Sequence, residues 1–491
     1  MKPLTIVASC NSGTIFEKTL FALSKSDMVE DIVIVCRESI HLDIPGCRVI
    51  KTEFPIASQK TLKLALDIIR TEYLLLLPEG GQVSIEPDAI VKMLEAAEST
   101  KAGLVYSDFY DETKHVKTVH PLNDYQSGSV RDDFEFGAIM LFSIPAIKKA
   151  LDEYGDISDV RFAGLYELRL KVSIDHSVYH MQAPLYSVIE SDGSYDIEKI
   201  FTYVDPRNAD VQKEMEIVFT DYLKKIGAYL PSRLFREVAQ TSGLFPVEAS
   251  VIIPVRNRKA TIAEAVKSAL SQEADFQFNV IVVDNHSTDG TTVILSDLAD
   301  EYPALRHITP KRINLGIGGC WNEALYSNAC GRYAVQLDSD DLYSSSRALQ
   351  KIIHMLHQNN YAMVIGSYTI VNFNLEEIPP GLIDHREWTD GNGHNNALRI
   401  NGLGAPRAFD TYLMRTTGFL NVSYGEDYAA ALRICREYRI GRIYESLYLC
   451  RRWPGNTDAS LAIAETNRNN AFKDKVRTDE IIARQKMNRG E

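Results

Sequence analysis

Cysteine, a basic excess and long apolar runs are all scarce in this chain of 491 residues. Its seven cysteines include no C-x-x-C pair, which argues against a disulfide framework and favours a reducing compartment. The formal net charge of −13 leaves no basic excess for a nucleic-acid backbone. No apolar stretch approaches the roughly 20 residues that span a bilayer. Because Met1-Lys2-Pro3 leads straight into a strand pattern, no signal peptide is expected. We therefore expect a cytoplasmic protein without a nucleic-acid partner, and a peripheral position at the inner face of the membrane stays open.

The most informative motif is the stretch YAVQLDSDD at residues 333–341, in which an apolar, strand-like run ends in closely spaced carboxylates. Asp338 and Asp340 stand one residue apart and can hold one divalent cation. Mg²⁺ or Mn²⁺ prefers oxygen ligands and often keeps substrate phosphates in its remaining positions, so the cluster suggests a phosphate-bearing ligand. An acidic turn that starts the next helix is the alternative at this point.

About 80 residues upstream, the segment VIIPVRNR (251–258) has the pattern of a buried strand that stops at polar residues. An apolar stripe at helical spacing follows in 262–270, and VIVVDNHSTDG (280–290) gives a second strand ending in acids and turn formers. Strand, helix and strand predict an α/β fold with a doubly wound sheet. Ligands of such sheets lie beyond the carboxyl ends of the strands, where 254–256, Asp284 and 338–341 should converge.

Taken together, these segments resemble the family-2 glycosyltransferases of the GT-A fold, with LDSDD as the DxD-type metal motif. The resemblance includes the glycine-rich loop 314–319 and the acidic segment 424–428. It covers roughly residues 248–460. It implies an enzyme that moves a sugar from a nucleotide-diphosphate donor to the hydroxyl group of a glycan or lipid-linked glycan, with inversion at the anomeric carbon.

The resemblance also implies residue roles. Asp338 and Asp340 would hold Mn²⁺ or Mg²⁺, which offsets charge on the departing diphosphate. Asp427 would take the proton of the acceptor hydroxyl, with Glu426 as the neighbour that could replace it. The alternative for Glu426 and Asp427 is that they only start the following helix, whose amino end favours acids.

Donor contacts are carried over in the same way. Asp284 would accept a hydrogen bond from the base or ribose, and Arg451 and Arg452 would pair with phosphate oxygens, although solvated surface arginines are the alternative. Trp453 departs from the family pattern because it stands where a histidine is often found, and an indole cannot ligate a metal. The full set of predicted donor-binding residues is Pro254, Val255, Arg256, Asp284, Asn314, Gly316, Asp338, Arg451 and Arg452.

The amino-terminal half repeats the strand pattern with an offset of roughly 250 residues, which we interpret as an internal duplication. The repeated strand pattern lies in the segments 4–11, 31–39 and 73–81. Cys36 occupies the place of Asp284, and Pro78-Glu79-Gly80 stands where Asp338-Ser339-Asp340 stands. The counterpart of the acidic segment, around Ala163–Glu167, also lacks the paired acids. We therefore predict a degenerate GT-A-like copy that has lost catalysis and serves acceptor binding, dimerisation or support of its partner; a metal-independent active site is the alternative.

The predicted organisation has four parts: a degenerate domain at 1–190, a helical connector at 191–247, the catalytic domain at 248–460, and a polar helix or tail at 461–491. The connector contains an amphipathic pattern at 211–226. The segment 378–407, with His385, Trp388 and His394, is the candidate acceptor rim, or else an ordinary surface excursion. Two other functions stay open, namely a non-catalytic scaffold that binds sugars or nucleotides and a sugar-phosphate nucleotidyltransferase. Self-association also stays open.

Overall fold

The computed structural model describes residues 2–10, 14–37, 44, 46–78, 82–86, 88–113, 116–189, 208–239, 244–456 and 461–491. In chain order its strands are β1 (Leu4–Ser9), β2 (Val29–Cys36), β3 (Cys47–Lys51), β4 (Tyr73–Leu77), β5 (Gln82–Ile85), β6 (Leu104–Ser107), β7 (Phe109–Thr113), β8 (Val116–His120), β9 (Met140–Ser143), β10 (Val178–Met181), β11 (Tyr186–Ile189), β12 (Ala249–Val255), β13 (Phe278–Asp284), β14 (Leu305–Ile308), β15 (Tyr333–Gln336), β16 (Leu342–Tyr343), β17 (Met363–Val371), β18 (Glu377–Ile383), β19 (Arg407–Asp410) and β20 (Ile440–Arg451).

The helices, in the same order, are α1 (Thr14–Ser24), α2 (Gln59–Ile68), α3 (Ala89–Thr100), α4 (Ile144–Tyr154), α5 (Gly164–Asp175), α6 (Ala209–Lys225), α7 (Ile262–Leu270), α8 (Thr291–Glu301), α9 (Ile317–Leu325), α10 (Ala348–Asn359), α11 (Gly393–Asn396), α12 (Thr411–Thr417), α13 (Glu426–Glu437) and α14 (Ile463–Arg489). Within the described ranges, no helix is both long enough and apolar enough to cross a bilayer.

The chain divides into two compact units. Among the described residues, the first unit holds those up to 189 together with 210–229 and 462–491, and the second holds 208–209 and those between 230 and 461. Helix α6, predicted as part of a connector, packs into the first unit through buried side chains such as Phe219 and Leu223. The polar carboxyl terminus is helix α14 of that same unit. Five of its charged side chains are buried, and some of these pair with one another, as Asp474 does with Arg477 at 2.8 Å.

The sheet of the second unit has the order β14-β13-β12-β15-β19-β17-β20-β16, with β18 paired to β17. Strands β12, β13, β14 and β15 run parallel, whereas β19 is antiparallel to both β15 and β17. Almost every residue of β12 and β13 is buried, as expected for parallel strands covered on both faces. Helix α7 covers the sheet with the stripe of Ile262, Ala265, Val266 and Ala269 that the sequence predicts.

The first unit has a sheet of order β3-β2-β1-β4-β9-β6-β10 and a second sheet of order β5-β11-β7-β8. The larger sheet follows the same path as β14-β13-β12-β15-β19-β17-β20, with an antiparallel strand at the equivalent place, since β9 opposes β4 and β6. Leu4 pairs with Tyr73 as Ala249 pairs with Tyr333. This shared register puts Pro78 at the position of Asp338. Glu79 and Gly80 of the predicted counterpart lie outside the described residues.

Candidate active site

Three strand ends meet at one edge of the second unit's sheet. Because β12 pairs in parallel with β13 and with β15, the segment after Val255, the residue Asp284 and the carboxylates after Gln336 share that edge. Residue Asn285 donates its backbone N–H to the Val255 carbonyl at 2.8 Å, which closes the gap between the first two strand ends. The convergence predicted from the sequence is therefore confirmed by the pairing of the strands.

Asp338 and Asp340 lie on the turn after β15, and each is held by named donors. The amide Nε2 of Gln336 donates to both carboxylate oxygens of Asp338, at 2.9 and 3.0 Å. On Asp340, Oδ2 accepts from the indole Nε1 of Trp453 and from Nδ2 of Asn456, both at 3.2 Å. The indole predicted to be unable to ligate a metal thus contacts the metal motif as a hydrogen-bond donor.

The neighbouring Asp341 has a structural role. Its Oδ1 accepts the backbone N–H of Arg451 at 2.7 Å, which joins the turn to the end of β20. Burial, together with the nearby charges of Asp340 and Asp338, holds the pKa of Asp341 well above its usual range. Burial and Asp338 likewise raise the pKa of Asp340. Three carboxylates therefore crowd one turn.

This crowding fits a divalent cation. A bound cation would offset the repulsion that raises the pKa of Asp340, and oxygen donors suit Mg²⁺ or Mn²⁺. Among the described residues, no group of three or more His, Cys, Asp or Glu side chains is arranged to hold a metal. The candidate ligand set is thus Asp338 and Asp340, which matches ions that bind one or two carboxylates and take the remaining oxygens from substrate phosphates.

Glu426 and Asp427 open helix α13, and their environments differ. The side chain of Asp427 is 26% exposed and forms an ion pair with Arg407. Glu426 is 7% exposed, and its Oε2 has no hydrogen-bond partner among the described residues. Burial, with a further contribution from the charge of Asp427, raises the pKa of Glu426 to about 8. At neutral pH Glu426 therefore holds its proton.

Arg407 and Gln336 connect the two groups of acids, and the sequence reading did not select either as a site residue. The Nε of Arg407 donates to the Gln336 amide oxygen at 2.9 Å, while its Nη1 reaches Asp427. Since Gln336 also donates to Asp338, one hydrogen-bonded path joins Asp427 to the metal motif. Arg407 is the last residue of the predicted acceptor rim, 378–407, and Gln336 is the last residue of β15. They are far apart in the sequence, and the pairing of β15 with β19 brings them together.

Asp284 is buried, and its carboxylate accepts hydrogen bonds from neighbouring residues. Its Oδ1 accepts the N–H of Ser287 at 3.0 Å, and its Oδ2 accepts the Thr292 hydroxyl at 2.5 Å with His307 at 3.6 Å. Burial alone would raise the pKa of Asp284. The hydrogen bonds from these donors outweigh burial and hold that pKa below its usual range. Its role toward a nucleotide stays a prediction. Of the other residues predicted beside the base, Pro254 is half-buried, Val255 is buried and Arg256 is exposed.

The glycine-rich loop owes its composition to close packing. Asn421 accepts the N–H of Gly316 at 2.8 Å and donates to the carbonyl of Asn314 at 3.1 Å. A Cβ on Gly318 would stand 1.9 Å from the Leu420 carbonyl oxygen. The glycines therefore let the amino end of α9 approach residues 420–422, which precede Glu426 in the chain.

The two arginines after β20 differ in exposure. Arg451 is 1% exposed and donates from Nη2 to Glu264 at 2.7 Å, with its guanidinium 5.0 Å from the ring centre of Phe373. Within the part of the chain that the structure describes, its Nε and Nη1 have no hydrogen-bond partner. The solvated-surface alternative is therefore wrong for Arg451. Arg452 is half-buried and donates its backbone N–H to the Val371 carbonyl at 2.7 Å.

The candidate acceptor rim is packed into the unit. His385, Trp388 and His394 are 1%, 4% and 2% exposed. The Nε2 of His394 lies 2.6 Å from the carbonyl oxygen of Leu230, and the carbonyl of Trp388 accepts the hydroxyl of Tyr444 at 3.0 Å. This burial rules out an ordinary surface excursion for these three residues.

In the first unit, the positions equivalent to the acids are occupied differently. Cys36 ends β2 as Asp284 ends β13, and burial raises the pKa of its thiol to about 12. Tyr166 donates its hydroxyl to the Val130 carbonyl as Tyr428 donates to the Ala397 carbonyl. That equivalence puts Gly164 and Leu165 at the positions of Glu426 and Asp427.

Comparison with known proteins finds similarity in the carboxyl-terminal half of the chain. Residues 250–416 match the sequence model described as "Glycosyl transferase family 2". The "Putative glycosyltransferase EpsE" of Bacillus subtilis is 32% identical over 124 residues, which are 25% of this chain and 44% of that protein. The Escherichia coli "UDP-Glc:alpha-D-GlcNAc-diphosphoundecaprenol beta-1,3-glucosyltransferase WfgD" is 29% identical over 195 residues, 40% of this chain and 72% of that one.

Among solved structures, S. aureus TarS 1-349 in complex with UDP-GlcNAc is similar, with a TM-score of 0.37 and 21% identity over 49% of this chain and 73% of that chain. The match covers less than half the length of EpsE and nearly three quarters of the length of WfgD. Residues 250–416 match a model of family-2 glycosyltransferases, and this match and the names of the relatives support a glycosyltransferase.

Proposed function

We propose that the second unit is a metal-dependent, inverting glycosyltransferase that moves a sugar from a nucleotide-diphosphate donor to a hydroxyl group of a glycan or lipid-linked glycan. The observation that carries the proposal is the path from Asp427 through Arg407 and Gln336 to Asp338. This path holds the candidate base, Asp427, in a fixed position relative to Asp338, where the donor diphosphate is proposed to bind. A reaction between two bound substrates requires such fixed positions.

In the proposed reaction, Asp427 accepts the proton of the acceptor hydroxyl as the oxygen forms its bond to the anomeric carbon. The bond from that carbon to the diphosphate breaks on the opposite face, and the electron pair leaves with the phosphate. A single carboxylate base with direct displacement gives inversion. Mn²⁺ or Mg²⁺ bound at Asp338 and Asp340 would supply Lewis-acid stabilisation of the leaving diphosphate.

Arg407 has two effects in this scheme. Its ion pair orients Asp427, and its positive charge lies between the acids of α13 and the metal motif. Burial alone would lower the pKa of Arg407, but Asp427, Asp338 and Glu426 raise it, so it stays a cation. Arg451 and Arg452 are proposed to pair with donor phosphate, Asp284 with the nucleoside, and 254–256 with the base.

The first unit is proposed to be a degenerate copy without its own metal site. Support comes from the shared strand path, the shared register and the loss of acids at the equivalents of Asp284, Asp338, Glu426 and Asp427. Glu79 is the remaining acid of its motif in the sequence, and a single carboxylate is a poor divalent site.

A donor screen tests the function. The protein is incubated with UDP-, GDP- and dTDP-sugars, with and without Mn²⁺, and released nucleoside diphosphate is measured by mass spectrometry. We expect one nucleotide class to release diphosphate only when the cation is present. The proposal fails if no donor is turned over or bound, or if turnover ignores the cation.

A further inference from the structure

The first unit contains a cavity of its own. Its volume is about 290 Å³, close to the lower end of the range of about 300–1,000 Å³ that is usual for ligand pockets. One wall is formed by residues 120–135 between β8 and β9, and the other by residues 463–470 at the amino end of α14. The side chain of Glu135 on the lining is 51% exposed, so the cavity opens to solvent. The cavity therefore has room for one small ligand, and its whole lining belongs to the first unit.

Hydrogen bonds fix the two walls to each other. Gly128 donates its backbone N–H to the hydroxyl of Thr478 on α14 at 2.8 Å, and the hydroxyl of Ser129 donates to Asp474 at 2.9 Å. A Cβ on Gly128 would stand 2.0 Å from the carbonyl oxygen of Asp474, so the segment and the helix are in backbone contact. A ligand in the cavity would meet side chains that are already positioned, which lowers the entropic cost of binding.

The two basic side chains of the lining are paired with acids. The Nδ1 of His120 lies 2.7 Å from Asp111, and its Nε2 lies 3.5 Å from Glu135. Burial alone would lower the pKa of His120, but Glu135 and Asp111 raise it to about 9, so its ring is charged at neutral pH. Arg131 is 4% exposed and donates from Nη1 to Asp133 at 2.7 Å. An anionic ligand would have to displace one of these ion pairs, whereas a neutral ligand would leave them in place.

The other polar groups of the lining are neutral. They are the side chains of Asn123, Thr466, Asn467 and Asn470. The Nδ2 of Asn467 donates to the carbonyl of Pro121, which holds this amide at the cavity wall. Within the described ranges, neither the Asn123 amide nor the Thr466 hydroxyl has a hydrogen-bond partner. An amide and a hydroxyl group each donate and accept, so the cavity offers both kinds of group to a ligand.

Apolar side chains complete the lining. Leu122, Phe134 and Ile463 contribute this surface, and Phe134 is held by Phe136 with ring centres 4.8 Å apart. Neutral amides beside an aromatic ring match a sugar, because its hydroxyl groups donate and accept while its C–H faces are apolar. A lipid chain would bury these amides and leave them without a hydrogen-bond partner.

The first wall has a counterpart in the second unit. Because Tyr166 donates to the Val130 carbonyl as Tyr428 donates to the Ala397 carbonyl, the segment between β8 and β9 corresponds to the one between β18 and β19. The latter contains most of the candidate acceptor rim, where Trp388 and other side chains are packed. The equivalent segment of the first unit instead borders an open cavity.

We propose that this cavity binds one neutral sugar residue, with the amides of Asn123 and Asn467 and the hydroxyl of Thr466 as hydrogen-bond partners and Phe134 on its apolar side. The site gives the first unit a binding role that needs neither a metal ion nor a catalytic acid. It goes beyond the transfer reaction proposed for the second unit and does not depend on it.

Saturation-transfer NMR on the full chain tests this site. The probes are glucose, galactose, mannose and N-acetylglucosamine, with glucuronate and inorganic phosphate as charged probes at matched ionic strength. Thr466→Trp fills the cavity from an exposed position on α14, so the part of each response that it removes belongs to the cavity. We expect it to remove the saturable binding of at least one neutral sugar, with a Kd on the order of 1 mM, and no binding of either charged probe. Asn123→Ala should raise that Kd about threefold to tenfold, as expected for the loss of one hydrogen bond.

Two matched controls lie on the same helix but outside the lining. Arg468→Trp adds the same bulk at a side chain that is 74% exposed, and Asn469→Ala removes an amide. Both should bind the neutral sugar as the wild type does. The proposal is overturned if the wild type binds none of the four neutral sugars, if Thr466→Trp binds them like the wild type, if it loses only a charged probe, or if a control loses the neutral sugar equally.

Circular dichroism checks the folding of each variant. If Thr466→Trp does not fold, Asn123→Ala decides, and an unchanged Kd in that variant overturns the site. The donor screen on the wild type separates this proposal from the transfer reaction. If no donor is turned over or bound but the cavity variants lose a neutral sugar, the transfer reaction fails and the sugar site stands. If a donor is turned over and no neutral sugar depends on Thr466 or Asn123, the sugar site fails alone.

Discussion

The guanidinium of Arg407 forms an ion pair with the carboxylate of Asp427 and donates to Gln336, which holds Asp338. This relationship couples the candidate base to the phosphate side. Replacing Arg407 with Met should lower kcat by about a hundredfold, because the base loses its orientation. The donor KM should change less. Steady-state kinetics measures both, and Arg433→Met is the control, because Arg433 is an exposed arginine on α13, the helix of Asp427. An unchanged kcat in Arg407→Met would show that Arg407 does not orient the base.

Glu426 gives a stability prediction with a definite sign. Its ordinary pKa is 4.5, and burial followed by the charge of Asp427 raises the folded-state pKa to about 8. Its contribution to the free energy of unfolding is therefore fully present below pH 4.5 and is lost as the pH rises to about 8. Glu426→Gln mimics the protonated form. The stability of the wild type relative to Glu426→Gln should decline from pH 5 to pH 8 in urea titrations. A difference that stays constant with pH contradicts the assignment.

Trp453 should tune the titration of Asp340. Its indole N–H bond lowers the pKa of Asp340, against the stronger raising effects of burial and Asp338. Trp453→Phe removes that donor, so the pKa of Asp340 should rise further. Mn²⁺ needs the deprotonated carboxylate, so binding in the presence of nucleotide should fail at a higher pH than in the wild type. Calorimetric titrations across the acid range measure the shift.

Phe373→Leu provides the comparison for this variant, because Phe373 packs against Trp453 with ring centres 5.3 Å apart. It should leave the pH dependence in place. An identical shift in both variants would mean that packing, rather than the indole N–H, controls the titration.

Gly318 should tolerate no side chain. A Cβ there would meet the Leu420 carbonyl oxygen at 1.9 Å, and backbone cannot move away as a flexible side chain can. Gly318→Ala should destabilise the second unit by about 1–3 kcal/mol. Gly391→Ala, where a Cβ meets nothing within 4 Å, should be close to neutral. Thermal unfolding compares the two, and equal stability would show that α9 does not depend on this close approach.

The sequence was informative where periodicity and motif order coincide. Strands β12, β13 and β15 and the apolar stripe of α7 follow from apolar runs and their polar ends. The role of Arg407 could not be read from the chain, because its partners Gln336 and Asp427 lie 71 and 20 residues away and only the antiparallel pairing of β19 unites them.

Charge pairing explains another difference. Helix α14 looked like a polar helix or loose tail, yet Asp474, Arg477 and Arg484 are fully buried because the helix supplies its own counter-charges. Hydropathy alone counts such residues as exposed. A sequence also cannot show that the guanidinium nitrogens of Arg442 lack hydrogen-bond partners among the described residues, because this depends on which acceptors the fold brings near.

The most direct test uses the donor found by the screen and measures diphosphate release by the wild type, Asp340→Ala and Glu79→Ala, with circular dichroism to verify folding. The account predicts that Asp340→Ala is folded and loses at least about a thousandfold in rate, while Glu79→Ala keeps nearly full activity. An active Asp340→Ala, or a Glu79→Ala as impaired as Asp340→Ala, would contradict the claim that the aspartates of the second unit carry the reaction.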